Sequence, residues 1–414
     1  MGGGSNILDI LQVYFKNESF IMHISHMKSL GQFFTTNEIL QNKVVEFIIS
    51  YSSGIILEPS VGRGDLVKAI QRQSRFANTE FHLYEIDTSI PLLQDVRNYS
   101  IGYCDFLTAD ISMKYSTIVG NPPYVKTSKG NLYVDFVKKC FHLLQNEGEL
   151  IFIVPSDFFK LTCASKLIES MMSMGSFTHV FHPNNEKMFD NASIDIMVFR
   201  YWKCKIFNGC VLYNGEKRNL IHSKGLITFR DVSLYPELPM YEFQNYFHCI
   251  VGMIRGKEDV YKNNELGNIS VINGKEQTDK YIFIESFPSE CSKINEYLQS
   301  HRQKLIERKI RKFNDSNWYE WGAPRNIPMI RRWLNTPCIY LHTLTRKEEV
   351  AFIGNVNYFG GGLLCLIPKQ PIQLKKIVEF LNRKEFKQNF LYSGRFKIGQ
   401  RQFSYSRNVV SLHP

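Results

Sequence analysis

Between residues 55 and 201 the chain repeats one pattern, a short apolar run that stops at an acidic residue or a Gly/Pro turn and is followed by a stretch with helical spacing. Ile55-Ile56-Leu57, Phe81 to Tyr84, Thr117 to Val119 and Leu150 to Val154 are such runs. A strand with one wet face alternates polar and apolar residues, whereas an unbroken apolar run suits a strand covered on both faces. Parallel strands cannot be joined by tight hairpins, so helices must return the chain between them. The pattern therefore predicts a doubly wound α/β domain over residues 31–202, closed by strands at Thr178 to Phe181 and Ile194 to Tyr201.

Flanking segments read differently. Ile7, Leu8, Leu11, Tyr14 and Phe15 recur at helical spacing and predict a helical extension over residues 1–30, led by a flexible Gly2-Gly3-Gly4-Ser5 linker. After Trp202 the alternation ends, and residues 203–414 are expected to form a second, mixed α+β domain. Helical spacing is clear there at Cys291 to Lys309 and Leu374 to Phe390, while Val271 to Ile284 and Val350 to Ile367 favour strands.

Charge separates the two halves. Residues 1–200 carry 17 Lys and Arg against 20 Asp and Glu, leaving residues 201–414 with 33 against 19. The first half is thus −3 and the second +14, so the positive charge lies entirely in the second half, where a polyanion would be drawn by counterion release. A solvated basic surface is the competing explanation. The nine cysteines include no Cys-x-x-Cys pair and no accompanying His pair, so no metal site is expected and the thiols are read as reduced and mostly buried. No signal-like leader and no apolar run near the ~18–20 residues that span a bilayer is evident, which predicts a soluble cytoplasmic chain with no membrane partner.

Two features point to a nucleoside-containing ligand. Glu58-Pro59-Ser60-Val61-Gly62-Arg63-Gly64-Asp65-Leu66 follows the first strand and opens a helix, a place where glycines let backbone approach a ligand. The third glycine of a dinucleotide fingerprint is replaced by Val67, which argues against a nicotinamide or flavin cofactor. Glu85 lies 23 residues beyond Gly62 at the end of the second strand, where a carboxylate can accept both hydroxyls of a ribose. Asp105 and Phe106 add a carboxylate beside a ring, suited to an adenine amino group and its face. Thr35 and Glu38, in Gly31-Gln32-Phe33-Phe34-Thr35-Thr36-Asn37-Glu38, have capping-box spacing for the helix that follows.

Asn121-Pro122-Pro123-Tyr124 comes directly after the third apolar run. Two prolines fix the backbone and remove two amide donors, so carbonyl oxygens and the Asn side chain remain as acceptors. Such a pair can accept both hydrogens of an aromatic amine, drawing its delocalised nitrogen towards tetrahedral geometry. Positioning and preorganised dipoles then supply the activation, without metal or covalent intermediate.

In this order and with these residues the chain resembles the gamma class of DNA adenine-N6 methyltransferases of type II restriction–modification systems. The resemblance covers residues 31–200. It implies a class I S-adenosylmethionine-dependent methyltransferase fold, Rossmann-like with a seven-stranded, mostly parallel sheet, and a target-recognition domain C-terminal to it. S-adenosylmethionine is the implied cofactor, held by Thr35, Glu58, Ser60, Gly62, Glu85, Asp105, Phe106 and Pro123. Asn121, Pro122 and Tyr124 are the implied catalytic residues, with a flipped adenine stacked between Tyr124 and Phe189. The family's first loop usually ends Thr-Pro, whereas position 36 here is Thr.

The implied partner is double-stranded DNA, with a cognate restriction endonuclease as functional counterpart and a monomer as the working state. Basic residues interleaved with aromatics, Arg325, Arg331, Arg332, Arg395, Lys397 and Arg401, are the expected nucleic-acid contacts. The same tetrapeptide also serves methyltransferases of RNA bases and of protein glutamines. A further alternative is an inactive nucleic-acid-binding partner that keeps the fold.

Overall fold

The computed structural model describes residues 31–49, 54–128, 130–190, 192–205, 209–223, 226–231 and 241–408. The helix and linker expected within residues 1–30 lie outside them. The chain divides into two compact units, Met1–Leu234 and Tyr235–Pro414.

In the first unit the strands are β1 (Ile55–Glu58), β2 (Glu80–Glu85), β3 (Ile101–Tyr103), β4 (Tyr115–Gly120), β5 (Leu144–Pro155), β6 (Ser176–Phe181) and β7 (Ile196–Trp202). Three more follow, β8 (Cys210–Tyr213), β9 (Glu216–Ser223) and β10 (Leu226–Asp231), and all ten form one sheet in the order β10-β9-β8-β6-β7-β5-β4-β1-β2-β3. Strands β3, β2, β1, β4 and β5 run parallel, and β7 enters antiparallel between β5 and β6. The expected seven-stranded sheet is therefore present, but it is extended by three strands. The sheet continues through β8, parallel to β6, into the antiparallel β9 and β10. The boundary moves accordingly from Trp202 to Leu234.

Both faces of the sheet are covered, which explains the unbroken apolar runs. Ile56, Val119, Ile151, Ile153, Ile196 and Val198 face helices α1 (Glu38–Phe47) and α2 (Asp65–Gln71). Their neighbours in sequence, Leu57, Ile118, Leu150, Phe152, Val154, Met197 and Phe199, pack with α3 (Leu132–Leu143) and α4 (Thr162–Met174). Period-2 alternation thus divides one apolar run between two cores.

The order of the strands reverses between β1 and β4. Loops leaving these neighbouring strands diverge to opposite faces and open a crevice at their carboxyl ends, the preferred ligand position in open α/β sheets.

The second unit is mixed α+β, as expected. Its main sheet is antiparallel, with β11 (Phe247–Val251), β14 (Pro337–His342), β15 (Ala351–Asn355) and β16 (Leu363–Pro368) in the order β11-β16-β14-β15. A separate hairpin of β12 (Ile269–Gly274) and β13 (Gln277–Tyr281) packs with helix α5 (Ser292–Ser300) around Trp318 and Trp321. Those tryptophans are 3% and 1% exposed, so this part of the aromatic and basic stretch is core. All nine cysteines are free thiols, but only Cys140, Cys338 and Cys365 are buried, against the expectation that most would be.

Candidate active site

A cavity of about 310 Å³ opens at the carboxyl ends of β1, β2, β3 and β4. Thr35, Glu58, Ser60, Gly62, Glu85, Asp105, Phe106, Asn121 and Pro123 all line it. Pro122, Tyr124 and Phe189 lie outside the lining. Gln32, Asp65, Ile90, Cys104, Leu132 and Phe136 also line it and were not singled out from the sequence.

The turn after β1 depends on left-handed glycines at Gly62 and Gly64, with φ of 53° and 89°. A Cβ on Gly64 would stand 2.5 Å from Cγ2 of Val96, so no side chain is accommodated there. Glu85 holds this turn from the neighbouring strand. Its Oε2 accepts from Gly62 N at 2.8 Å, and its Oε1 accepts from Ile86 N at 2.9 Å and Asp87 N at 3.1 Å. The carboxylate expected to meet a ribose is therefore also the clamp of the glycine turn. Asp105 closes the loop after β3 by accepting from Leu107 N at 2.9 Å. From α3, Lys139 donates to the carbonyl oxygens of Phe106, Leu107 and Ala109 and fixes that loop from behind.

Glu58 is 2% exposed, and its Oε2 is buried without a hydrogen-bond partner. Burial, with Asp65 and Glu85 nearby, pushes its carboxyl group well above the usual carboxylate range. Such an acceptor at the wall of a cavity fits a cationic ligand, because an uncompensated buried carboxylate is costly. An adenine can be served by Asp105 and the Phe106 ring, and the cavity has the size of a small-ligand site. The residues present fit S-adenosylmethionine: Glu58 for its positive charge, Glu85 for the ribose, Asp105 and Phe106 for the base.

Asn121 leaves β4 at the rim of the cavity. Its Nδ2 donates to the Phe33 carbonyl oxygen at 2.6 Å and to Thr35 Oγ1 at 3.1 Å, while its Oδ1 accepts from the Tyr124 phenol at 2.6 Å. A backbone carbonyl can only accept, so the amide orientation follows from these partners. Ser60 Oγ donates to the backbone oxygen of Asn121 at 3.3 Å. The Tyr124 phenol also lies 3.2 Å from the Ile153 carbonyl oxygen, and burial raises its pKa well above the ordinary tyrosine value. It remains a donor throughout the physiological range.

Thr35 does not cap α1, contrary to its spacing. Asn37 does, with Oδ1 accepting from Ile39 N at 3.0 Å and Leu40 N at 3.4 Å. Thr35 is instead 4% exposed and turned to Asn121. Phe189 is 6% exposed, and its ring centroid lies 6.2 Å from that of Tyr124. Phe33, unremarked in the sequence, completes the cluster at 5.4 Å from Tyr124 and 5.6 Å from Phe189.

In the second unit the basic residues fall on three elements. Arg331 and Arg332 end a short helix (Ile327–Arg332) preceded by Arg325. Arg395 and Lys397 share a short strand (Arg395–Lys397) in which both cations lie over the Tyr392 ring, and Arg401 sits on the helix Gln400–Tyr405. Arg325, Arg331, Arg332 and Arg401 are exposed. Arg331 is engaged by Glu285 and by the Tyr358 hydroxyl. Among the described residues no group of three or more His, Cys, Asp or Glu side chains could hold a metal, and no helix is long and apolar enough to cross a membrane.

Residues 64–189 match the Eco57I restriction-modification methylase family. Among curated proteins, the type II methyltransferase M.HincII of Haemophilus influenzae is 29% identical over 220 residues, covering 48% of this chain and 42% of that protein. The type II methyltransferase M.AccI of Acinetobacter calcoaceticus is 25% identical over 196 residues, covering 41% of this chain and 36% of that protein. The chain thus spans well under half the length of these relatives. Among solved structures, the Type IIL restriction-modification enzyme MmeI, determined in complex with DNA, is similar in fold over 96% of this chain and 66% of its own, with a TM-score of 0.54 at 11% identity. The first unit thus carries, over residues 64–189, a match to the Eco57I restriction-modification methylase domain on a Rossmann-like α/β fold, and its cavity has the residues that fit S-adenosylmethionine.

Proposed function

We propose that the protein transfers a methyl group to the exocyclic N6 of an adenine in duplex DNA, at a specific site, and so protects that DNA from a cognate restriction endonuclease. The observation that carries this reading is the amide of Asn121. Its nitrogen is occupied by Phe33 and Thr35, which leaves Oδ1 as the acceptor held by Tyr124. An amide oxygen has two lone pairs, so Oδ1 can take one amino hydrogen while keeping the Tyr124 bond. The Pro122 carbonyl oxygen takes the other in this reading.

S-adenosylmethionine, when bound, supplies an electrophilic methyl group. The chain's own residues do the remaining work. Asn121 and Pro122 grip the amine, and its lone pair turns out of conjugation as both hydrogens are accepted. No side chain need ionise, because the activation is geometric and electrostatic. A duplex adenine must be extruded to reach such a site, at a cost of a few kcal/mol. Stacking on Tyr124 and Phe189, at roughly 1–3 kcal/mol per ring, offsets this cost.

The match to a restriction-modification methylase family and the likeness to MmeI, determined in complex with DNA, support a DNA substrate, and the basic second half of the chain supports a polyanionic one. Incubation with tritiated cofactor and duplex DNA, RNA or protein extract, followed by base analysis, tests the reading. N6-methyladenine in DNA is expected. Label confined to RNA or protein, or recovered as N4-methylcytosine, overturns it.

A further inference from the structure

Two loops that serve different ligands are joined directly. Gly31 to Thr35 line the cavity, and this loop, which runs on through Thr36 to Asn37, holds Asn121 through the Phe33 carbonyl oxygen and the Thr35 hydroxyl. The excursion between β6 and β7, from His182 to Asp195, carries Phe189. Its ends are clamped to each other by His182 Nε2 and Asp195 Oδ2 at 2.9 Å, and Ile194 N donates to Glu186 O at 2.8 Å within it. Between the loops stand two contacts. Thr36 Oγ1 donates to Asp190 Oδ2 at 2.8 Å, and the rings of Phe33 and Phe189 stack with centroids 5.6 Å apart and planes at 30°.

Phe189 has to move for the proposed substrate to enter. A base between two rings needs stacking contacts of about 3.5 Å on each side, so roughly 7 Å overall. Tyr124 and Phe189 stand 6.2 Å apart with planes at 60°. Whatever holds the Phe189 loop therefore decides when that slot opens. A proline at position 36, usual in the resembling family, has no hydroxyl to offer Asp190, so this link belongs to the threonine in this chain.

We propose that Thr36 and Asp190 form a latch through which occupancy of the cofactor cavity steadies the Phe189 loop, coupling cofactor binding to the opening and closing of the base slot. This rests on the reading of the first cavity as the cofactor site and of Phe189 as a base-stacking ring. Thr36 and Asp190 are positioning residues; neither touches reacting atoms. The loop that fixes the Asn121 amide is also the loop that holds Phe189, so filling the cavity beside it biases both.

Hydrogen exchange on the full chain, with S-adenosylhomocysteine as probe and no nucleic acid present, tests the latch. In the wild-type chain the probe should slow exchange of the Glu186 to Asp190 amides by about 5-fold or more, the lower end of coupling between sites. T36V and D190A should bind the probe in calorimetry yet lose that protection, and the double variant should behave like either single one. T36S, which keeps a hydroxyl, should retain it. Equal protection in wild type, T36V and D190A overturns the proposal, as does a wild-type loop indifferent to the probe. Failure to bind the probe at all removes the cavity reading and the latch with it. A wrong substrate assignment, by contrast, appears in the base analysis and leaves the exchange response intact.

Discussion

The phenol of Tyr124 donates to Oδ1 of Asn121 across 2.6 Å. Tyr124 therefore does more than offer a ring face, since its hydroxyl keeps the amide oxygen oriented while Phe33 and Thr35 hold the nitrogen. Tyr124→Phe preserves the ring and deletes the hydroxyl alone. A neutral hydrogen bond contributes roughly 0.5–1.5 kcal/mol, so kcat should fall by about 3- to 10-fold with little change in KM for DNA. An unchanged kcat would show that the phenol does not support the amide.

Glu58 is a buried carboxyl group whose cost to the fold depends on pH. Its folded-state pKa is raised well above 4.5, chiefly by burial and then by Asp65 and Glu85, so the folded chain holds this proton more tightly than the unfolded one. Its contribution to stability is therefore fully present below 4.5 and is lost as pH rises through the folded value. Glu58→Gln removes that loss. Thermal unfolding without cofactor should show a Tm above wild type by a few degrees at pH 8, with the gap closing towards pH 4.5. Cofactor affinity should fall, because a cation loses its carboxylate. A Tm below wild type at pH 8 would contradict the burial argument.

Cys104 offers a chemical check on the cavity. It is exposed, lines the cavity and precedes Asp105, whereas Cys163 and Cys291 are exposed elsewhere. Limited alkylation followed by peptide mass spectrometry should show S-adenosylhomocysteine slowing modification of Cys104 by an order of magnitude or so at saturation, and leaving Cys163 and Cys291 unchanged. Equal rates at Cys104 with and without the ligand would place the ligand elsewhere.

What the sequence disclosed depends on how local the physics is. Strands buried on both faces write themselves as apolar runs, and the turns after them place Glu58, Glu85, Asp105 and Asn121 at one edge of the sheet. Strands β8 to β10 are partly apolar as well, with Val211, Leu220 and Ile227 in the core of the first unit, but Glu216, Lys217 and Arg218 interrupt that pattern at the start of β9, and the unit runs past Trp202 to Leu234. Capping spacing points to Thr35, yet Asn37, two positions closer to the helix, caps it through the amides of Ile39 and Leu40. The roles of Lys139 and Phe33 were not legible, since each acts on a segment distant in the chain. Trp318 and Trp321, which stand beside the basic residues in sequence, are core, because composition cannot tell a buried indole from a stacking one.

Arg331 and Arg332 are neighbours in sequence with unequal prospects as phosphate contacts. Arg331 is paired with Glu285 and hydrogen-bonded to Tyr358, so meeting a phosphate requires breaking one ion pair to form another. Arg332 lies exposed with its guanidinium 5.2 Å from the Trp333 ring, an arrangement that leaves its charge open to an anion. Each phosphate contact adds about 0.9 to the slope of log affinity against log salt. Arg332→Ala should therefore reduce that slope by about one contact, while Arg331→Ala should reduce it by less. Glu285→Gln should act in the opposite sense, freeing Arg331 and steepening the slope. Fluorescence anisotropy with a duplex oligonucleotide across a salt series measures all three. Equal slopes for Arg332→Ala and wild type would remove this helix from the DNA-binding surface, and a shallower slope for Glu285→Gln would mean that the ion pair holds Arg331 in place for DNA.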